Sequence, residues 1–368
     1  MPLSPTRLLS ERGVSIWLDY LSRDAIRDGR LKQLIHHKHV VGVTTNPTIF
    51  ESAFASTAYE SQLKQLAARR FDVLEVITEL TVTDVADAAT ILGPVFERTH
   101  GVDGRVSIEV RPQLAHDATA TIAEAKHLWA RVNRPNAMIK IPATESGLDA
   151  ITATIADGIC VNVTLLFGLD RYRDVIRAYL KGLELAETAG HDISRIHSVA
   201  SFFVSRVDTE VDRRLRNVGT PEALALLHKT GIANARLAYQ LHRDEFASTR
   251  AQRLLALGAH AQRPLWASTG TKDAALSDTA YVTELIAPGV VNTMPPATLD
   301  AVEDHGIIAS DTISGHLDAA MATVGALADV GVSYREVTAR LEEDGLQKFT
   351  ASWQGMEAVV AEQLDGRR

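Results

Sequence analysis

Eight short apolar runs, each followed by enough chain for a helix, constrain this sequence more than anything else in it. They are SIWLDYL (15–21), VVGVTTNP (40–47), VSIEV (106–110), AMIKIPA (137–143), ICVNVTLLF (159–167), SVASFFV (198–204), RPLWAST (263–269) and GVVNTMP (289–295). Each is rich in Val, Ile or aromatic residues and too short for a core helix, so each reads as a buried strand. Strands alternating with helix-length connectors spell an α/β pattern. Eight parallel strands close a barrel, so the expected fold is a TIM (β/α)8 barrel, with a doubly wound open sheet as the competing reading.

The connectors agree with this order. Segment 83–99 opens on Thr83, a candidate helix cap, and carries apolar residues at helical spacing, as do 115–132 and 170–190. The connection 206–262 is far longer than one crossover helix needs. It contains at least two helical stretches, among them 220–246, and predicts an extra layer outside the barrel. Beyond 310 the chain reads as helical and closes on an amphipathic segment, 355–364. No Pro/Gly/Ser-rich linker or low-complexity tract interrupts it, so a single domain over 1–368 is expected, with additions at 206–262 and 311–368.

Composition narrows the function classes. Of 368 residues, 46% are hydrophobic and 23% charged, which is ordinary for a globular chain. Lys and Arg total 38 against 46 Asp and Glu, a net charge of -8, whereas a nucleic-acid binder would show a basic surplus. The opening MPLSPTRLLSERG lacks the apolar centre of a signal peptide, and no stretch approaches a membrane span. Cys160, the only cysteine, cannot form an internal disulfide, so a reducing, cytoplasmic setting is expected.

In a barrel of this kind the chemistry sits at the C-terminal strand ends. Read in turn, those ends carry Asp19; Thr44, Thr45 and Asn46; Glu109 and Arg111; Lys140; Asn162 and Thr164; Ser201 and Arg206; Ser268 and Thr269; Asn292 and Thr293. Every strand brings a polar side chain where a purely structural lumen would be apolar. Lys140 is the sharpest of them, set between Ile139 and Ile141. A buried ammonium is costly, so such a lysine is either ion-paired or an amine whose pKa is lowered by desolvation for attack on a carbonyl. With Glu109 one strand earlier and Asp19 also in an apolar run, the second reading is favoured, the two carboxylates supplying proton transfers.

Each of these residues also has a plainer role open to it. Asp19 could cap the following helix, as Ser22 could, and Glu109 could pair with Arg111 or Lys140. Asn46 before Pro47 could be a turn residue. Asn162 and Thr164, two apart on one strand, face the same side and converge on the lumen. Arg206 and the 268–272 loop, with Ser268, Thr269, Gly270, Thr271 and Lys272, suit a phosphate dianion, although the loop lacks Walker A spacing. His36, His37 and His39 precede a strand in a polar segment without matching acidic or thiol ligands, so no metal is expected. No GxGxxG follows the first strand, and imine chemistry needs no cofactor, so none is expected.

VTTNPTIF (43–50), IEVRP (108–112), MIKIPAT (138–144) and VNVTLLF (161–167) resemble, in order, the signature segments of transaldolases, and SFFVSRVD (201–208) is similar to the family's phosphate-side segment. The resemblance covers roughly residues 14–295, and the long 206–262 connection is similar to that of the larger bacterial members. It implies transfer of a dihydroxyacetone unit from sedoheptulose 7-phosphate or fructose 6-phosphate to glyceraldehyde 3-phosphate or erythrose 4-phosphate, in the non-oxidative pentose phosphate pathway. By this resemblance Lys140 forms the Schiff base, Asp19 takes the C4 hydroxyl proton, and Glu109 with Thr164 shuttles protons through a water. Asn46 and Asn162 would hold the three-carbon unit; Ser201, Arg206 and Ser268 would contact phosphate. Where the family carries an arginine soon after that last serine, this chain has Gly270 and then Lys272, which would act as a point charge. Two alternatives stand beside this: an aldolase releasing free dihydroxyacetone, and a non-catalytic sugar-phosphate-binding barrel. Monomer and homodimer are both compatible with the sequence.

Overall fold

A computed structural model describes residues 3–365. All eight apolar runs become strands: β1 (Ser15–Leu18), β2 (Val40–Val43), β3 (Arg105–Glu109), β4 (Ala137–Pro142), β5 (Val161–Leu166), β6 (Ser198–Phe203), β7 (Arg263–Ala267) and β8 (Val291–Met294). They pair in chain order, every pair parallel, and β8 returns to β1 to close the barrel. A closed ring, and not the doubly wound open sheet, is the fold.

Two apolar layers follow from strand alternation. Outward side chains such as Ile16, Leu18, Ile139 and Ile141 join the helices in the larger core. Inward ones, Trp17, Met138, Val199, Leu265 and Val291, plug the lumen. Trp17 lies across it because β2 carries Gly42: a Cβ there would fall 2.5 Å from the indole ring. Packed lumen below leaves the polar residues to gather at the upper rim.

The helical additions fall where expected, with differences in detail. Segment 83–99 belongs to a longer helix, Val73–Arg98, opened by a reciprocal capping box between Asp72 and Glu75. Thr83 is therefore mid-helix and not a cap; its hydroxyl donates to the Glu79 carbonyl at 2.7 Å, the back-bond open to a helical threonine. Stretch 220–246 is split into Pro221–Leu224 and Thr230–Phe246, with His228 in the left-handed region between them (φ 63°). The helices Ser205–Val218 and Thr249–Ala256 complete that connection. At the C-terminus, Leu317–Asp329 precedes a 32-residue helix, Tyr334–Asp365, which contains segment 355–364 and crosses the barrel mouth. Of the expected span 1–368, positions 1–2 and 366–368 lie outside the described residues. No helix among those residues is long and apolar enough to cross a membrane.

Candidate active site

Strand register brings the reactive groups together. Glu109 pairs with Lys140 across β3 and β4, and Lys140 pairs with Asn162 across β4 and β5. Neighbours on one rung of a parallel sheet face the same way, so all three side chains enter the lumen side by side. Lys140 is 4% exposed. Its Nζ donates to the Thr45 carbonyl at 3.0 Å and lies 3.3 Å from Glu109 Oε2. Glu109 is 8% exposed, and neither of its carboxylate oxygens has a hydrogen-bond partner. Burial pushes its pKa up to about 7, against the pull of the Lys140 charge.

Two residues beyond Asn162 on β5, Thr164 is buried with its hydroxyl unpartnered. Buried polar atoms in native folds are nearly always satisfied, so orphans at a site mark where water or substrate binds. Glu109 borders a small cavity of about 20 Å³, enough for one water. Asp19 follows β1 and accepts from Thr44 Oγ1 at 2.8 Å. Withdrawal from water raises its pKa, opposed by the Lys140 charge and then by the Thr44 hydrogen bond. The following helix is capped by Ser22, which leaves Asp19 free for the lumen.

Asn162 is oriented at both ends: its Nδ2 donates to Ser107 Oγ at 3.0 Å and its Oδ1 accepts from Ser201 Oγ at 2.7 Å. Ser201 thus spends its proton on the amide. Asn46 plays two parts, its Oδ1 capping the helix Pro47–Ala53 through the Ile49 N–H at 3.1 Å while the residue lines the cavity.

That cavity, about 150 Å³, runs from Asp19, Asn46 and Lys140 to Arg206, Ser268 and Lys272. Its far end is cationic. The Arg206 guanidinium sits 4.8 Å from the Phe203 ring and 5.7 Å from that of Phe349, and no carboxylate pairs with it. Burial lowers its pKa, with Asp19 and Glu109 countering. Lys272 and Lys348 are also lowered, by burial first and then by the neighbouring cations. Arg206 lowers both lysines, and with no ion pair from any of the three to a carboxylate among the described residues, this end of the cavity is a receptor for an anion. Ser268 adds a hydroxyl, 2.8 Å from that of Ser205, on backbone held in the left-handed region at φ 56°.

Some strand-end residues point elsewhere. Arg111 pairs with Glu124, and not with Glu109. Thr45 turns its hydroxyl to the Ser107 carbonyl, although its own carbonyl holds Lys140. Thr269 bonds the Thr293 carbonyl, and Asn292 donates to the Tyr281 carbonyl outside the ring. Two contributors escaped the sequence reading: Phe349, whose ring centre is 5.8 Å from Lys140 Nζ, and Lys348 beside it. Their signal was faint, a GLQKF segment placing Gly345 and Phe349 one helical turn apart on one face. Among the described residues no group of three or more His, Cys, Asp or Glu gathers to hold a metal ion.

The comparisons point the same way. The family model described as transaldolase/fructose-6-phosphate aldolase matches residues 16–360. A protein named transaldolase from Thermobifida fusca is 57% identical over 98% of both chains, and one from Arthrobacter sp. is 58% identical over 95% of both. A third, from Acidothermus cellulolyticus, is 56% identical over 99% of this chain and 98% of its own. A match of this extent across the whole barrel and its C-terminal helix means that the chain belongs to the transaldolase/fructose-6-phosphate aldolase family.

Proposed function

We propose that this chain is a transaldolase, moving a dihydroxyacetone unit between sugar phosphates through an imine on Lys140. The observation that carries the reading is the buried rung of Glu109, Lys140 and Asn162, with a cavity leading from Lys140 to the cations Arg206 and Lys272. A ketose phosphate fits this layout, its ketone at the lysine and its phosphate at Arg206, Lys272 and Ser268. Sedoheptulose 7-phosphate or fructose 6-phosphate would be donor, and glyceraldehyde 3-phosphate or erythrose 4-phosphate acceptor, as in the non-oxidative pentose phosphate pathway. The barrel and its helical additions act as one domain, since the C-terminal helix packs against both the Pro47–Ala53 helix and the post-β6 layer. A lone, buried Cys160 supports a reducing, cytoplasmic setting.

In the first step the neutral Lys140 amine attacks the C2 ketone, and the carbinolamine loses water to an iminium. Glu109 and Thr164, acting through a water, give and take the protons this requires. Asp19 then accepts the C4 hydroxyl proton, the C3–C4 bond breaks, and its electron pair runs to the iminium nitrogen. An aldose phosphate leaves and an enamine stays on the lysine. Asn46 and Asn162 hold the hydroxyls of that three-carbon unit, with Ser201 and Ser107 fixing the Asn162 amide. The acceptor aldehyde takes the carbon nucleophile, Asp19 returns the proton, and water hydrolyses the new imine. The phosphate grip supplies binding energy remote from the reacting bond.

Borohydride reduction in the presence of fructose 6-phosphate tests this directly. A stable adduct on the Lys140 peptide is expected, together with loss of turnover in a folded Lys140→Ala variant. An adduct on another lysine, or none, rejects the assignment. Assays with and without erythrose 4-phosphate distinguish transfer from simple release, because a transferase consumes little donor without acceptor.

A further inference from the structure

At the opposite end of the barrel from Lys140 lies a cavity of about 480 Å³, within the size range of small-molecule sites. It opens beneath the starts of β3 to β6: Arg105 begins β3, Cys160 precedes β5 and His197 precedes β6. Arg105 and Glu109 bracket β3, so this cavity is about 13 Å from the reactive rung at ~3.3 Å per residue.

The chemistry facing the cavity is incomplete in one direction. Arg105 is 1% exposed. Its guanidinium donates to the Gly101 carbonyl at 2.7 Å and to Cys160 Sγ at 3.2 Å and lies 5.2 Å from the Phe96 ring centre; among the described residues Nη2 has no hydrogen-bond partner and no carboxylate pairs with the group. Beside it His197, 8% exposed, stacks on His260 at 4.0 Å and makes no side-chain hydrogen bond. Burial, then the Arg105 charge, lowers the pKa of that imidazole, and the neutral ring keeps one N–H donor. A Cβ on Gly101 would lie 3.4 Å from Arg105 Nη2 and 3.5 Å from His197 Nε2, so the two groups converge over a residue that has no side chain. Arg195, exposed, beside Asp192 and without an ion pair among the described residues, adds a third donor at the rim.

A buried guanidinium without a counter-charge is expensive, and a ligand anion would offset that cost. Of the two carboxylates on the cavity wall, Asp192 is committed to the Ser194 N–H and hydroxyl, and Glu97 stands exposed at the edge. The other wall is aromatic: Phe96 and Trp129, from neighbouring helices, are both half-buried. Large flat side chains left partly open beside a guanidinium with donor capacity to spare suit a planar ring that carries the anion, stacked on Trp129 and edging the Phe96–Arg105 contact.

We propose that this lower cavity is a second binding site, separate from the sugar-phosphate site, for a phosphate attached to a planar ring, of nucleoside monophosphate size. Arg105, His197 and Arg195 hold the phosphate, and Phe96 and Trp129 take the ring.

Titration calorimetry with AMP on the full chain tests it, with adenosine and inorganic phosphate as separate arms. AMP should bind at one saturable site, and adenosine or phosphate alone should bind about tenfold more weakly or worse, since each keeps half the contacts. Binding should survive in Arg206→Ala and in the presence of saturating fructose 6-phosphate. It should fall about tenfold in Arg195→Glu, whose side chain is exposed and whose turnover should be unchanged, and further in Arg105→Met. Should Arg105→Met fail to fold, Arg195→Glu and Trp129→Ala decide the matter. Absence of AMP binding up to about 5 mM overturns the proposal. So does binding that Arg206→Ala abolishes and Arg195→Glu leaves intact, because the ligand would then occupy the upper phosphate site.

Discussion

Lys140 shows at the scale of one residue why a reactive amine needs a costly environment. With 4% exposure it has lost most of its hydration, and its nitrogen is met by the Thr45 carbonyl, one oxygen of Glu109 and, at 5.8 Å, the Phe349 ring. A well-satisfied buried pair would lock the ammonium in place, but here burial, outweighing the pull of the Lys140 charge, drives the carboxylate's own pKa to about 7. Glu109 is therefore protonated below that pH and a base above it. Any step in which it accepts a proton should quicken as pH rises through 7. Glu109→Gln keeps shape and removes the titration: kcat should drop about 10²–10⁴-fold, with KM for the donor changed far less, and the limb with midpoint near 7 should vanish from the pH–kcat profile. A profile that kept this limb would place the titrating group elsewhere, with Asp19, raised by the same burial, the next to replace. Lys140, Glu109 and Asp19 were all legible as charged residues inside apolar strands, because that pattern violates the ordinary rule of burial. What each one faces was not legible. The choice of Glu124 over Glu109 by Arg111, or of Ser22 over Asp19 as helix cap, depends on distances between segments far apart in the chain.

Among the elements, strands and C-terminal helix divide the work. Eight strands were readable because a fully buried parallel strand is a short, nearly unbroken apolar run bounded by polar residues. Helix limits were less so: Thr83 looked like a start because its type favours caps, yet the cap is Asp72, eleven residues earlier, paired with Glu75 in a capping box. Segment 355–364 was legible as amphipathic and as packing across the fold, while the full helix Tyr334–Asp365 and the residues it brings over Lys140 were not, since periodicity reports a buried face without naming what buries it. Gly345 permits that docking: a Cβ there would be 2.9 Å from Leu165 Cδ2 and 3.6 Å from Arg206 Nη1. The close approach delivers Phe349, 2% exposed, over Lys140 and Arg206. An apolar ring there keeps water from the covalent three-carbon unit. Phe349→Ala should consequently raise dihydroxyacetone release from fructose 6-phosphate without acceptor several-fold relative to transfer, measured as the ratio of the two rates. The lost side chain should also destabilise the fold by ~3–5 kcal/mol, read as a fall in Tm. Equal losses of release and transfer would mean that the ring only supports the helix and does not exclude water.

Across the whole molecule, charge is arranged against the expected substrate and then reversed locally. The chain carries a net charge of -8, which repels a phosphate dianion at long range, while Arg206 and Lys272 line the cavity end with Lys348 close by, none of them ion-paired among the described residues. The screening length is about 10 Å at 0.1 M salt, so the diffuse negative field is largely screened at moderate ionic strength. The clustered cations act at contact distance and are screened less. Two outcomes follow from the two scales of charge. If the global field governed capture, kcat/KM would rise with salt as repulsion faded. If the local cluster governs it, kcat/KM should fall several-fold between roughly 10 mM and 300 mM salt, as ions compete for the cations. We expect the fall. In the double variant Lys272→Met/Lys348→Met the slope should flatten and KM should increase, while kcat stays close to its starting value because the phosphate lies away from the bond that breaks. A rise in kcat/KM with salt for the unaltered enzyme, or a slope untouched by removing both lysines, would show that these two cations do not take part in holding the phosphate and would leave Arg206 to do so alone.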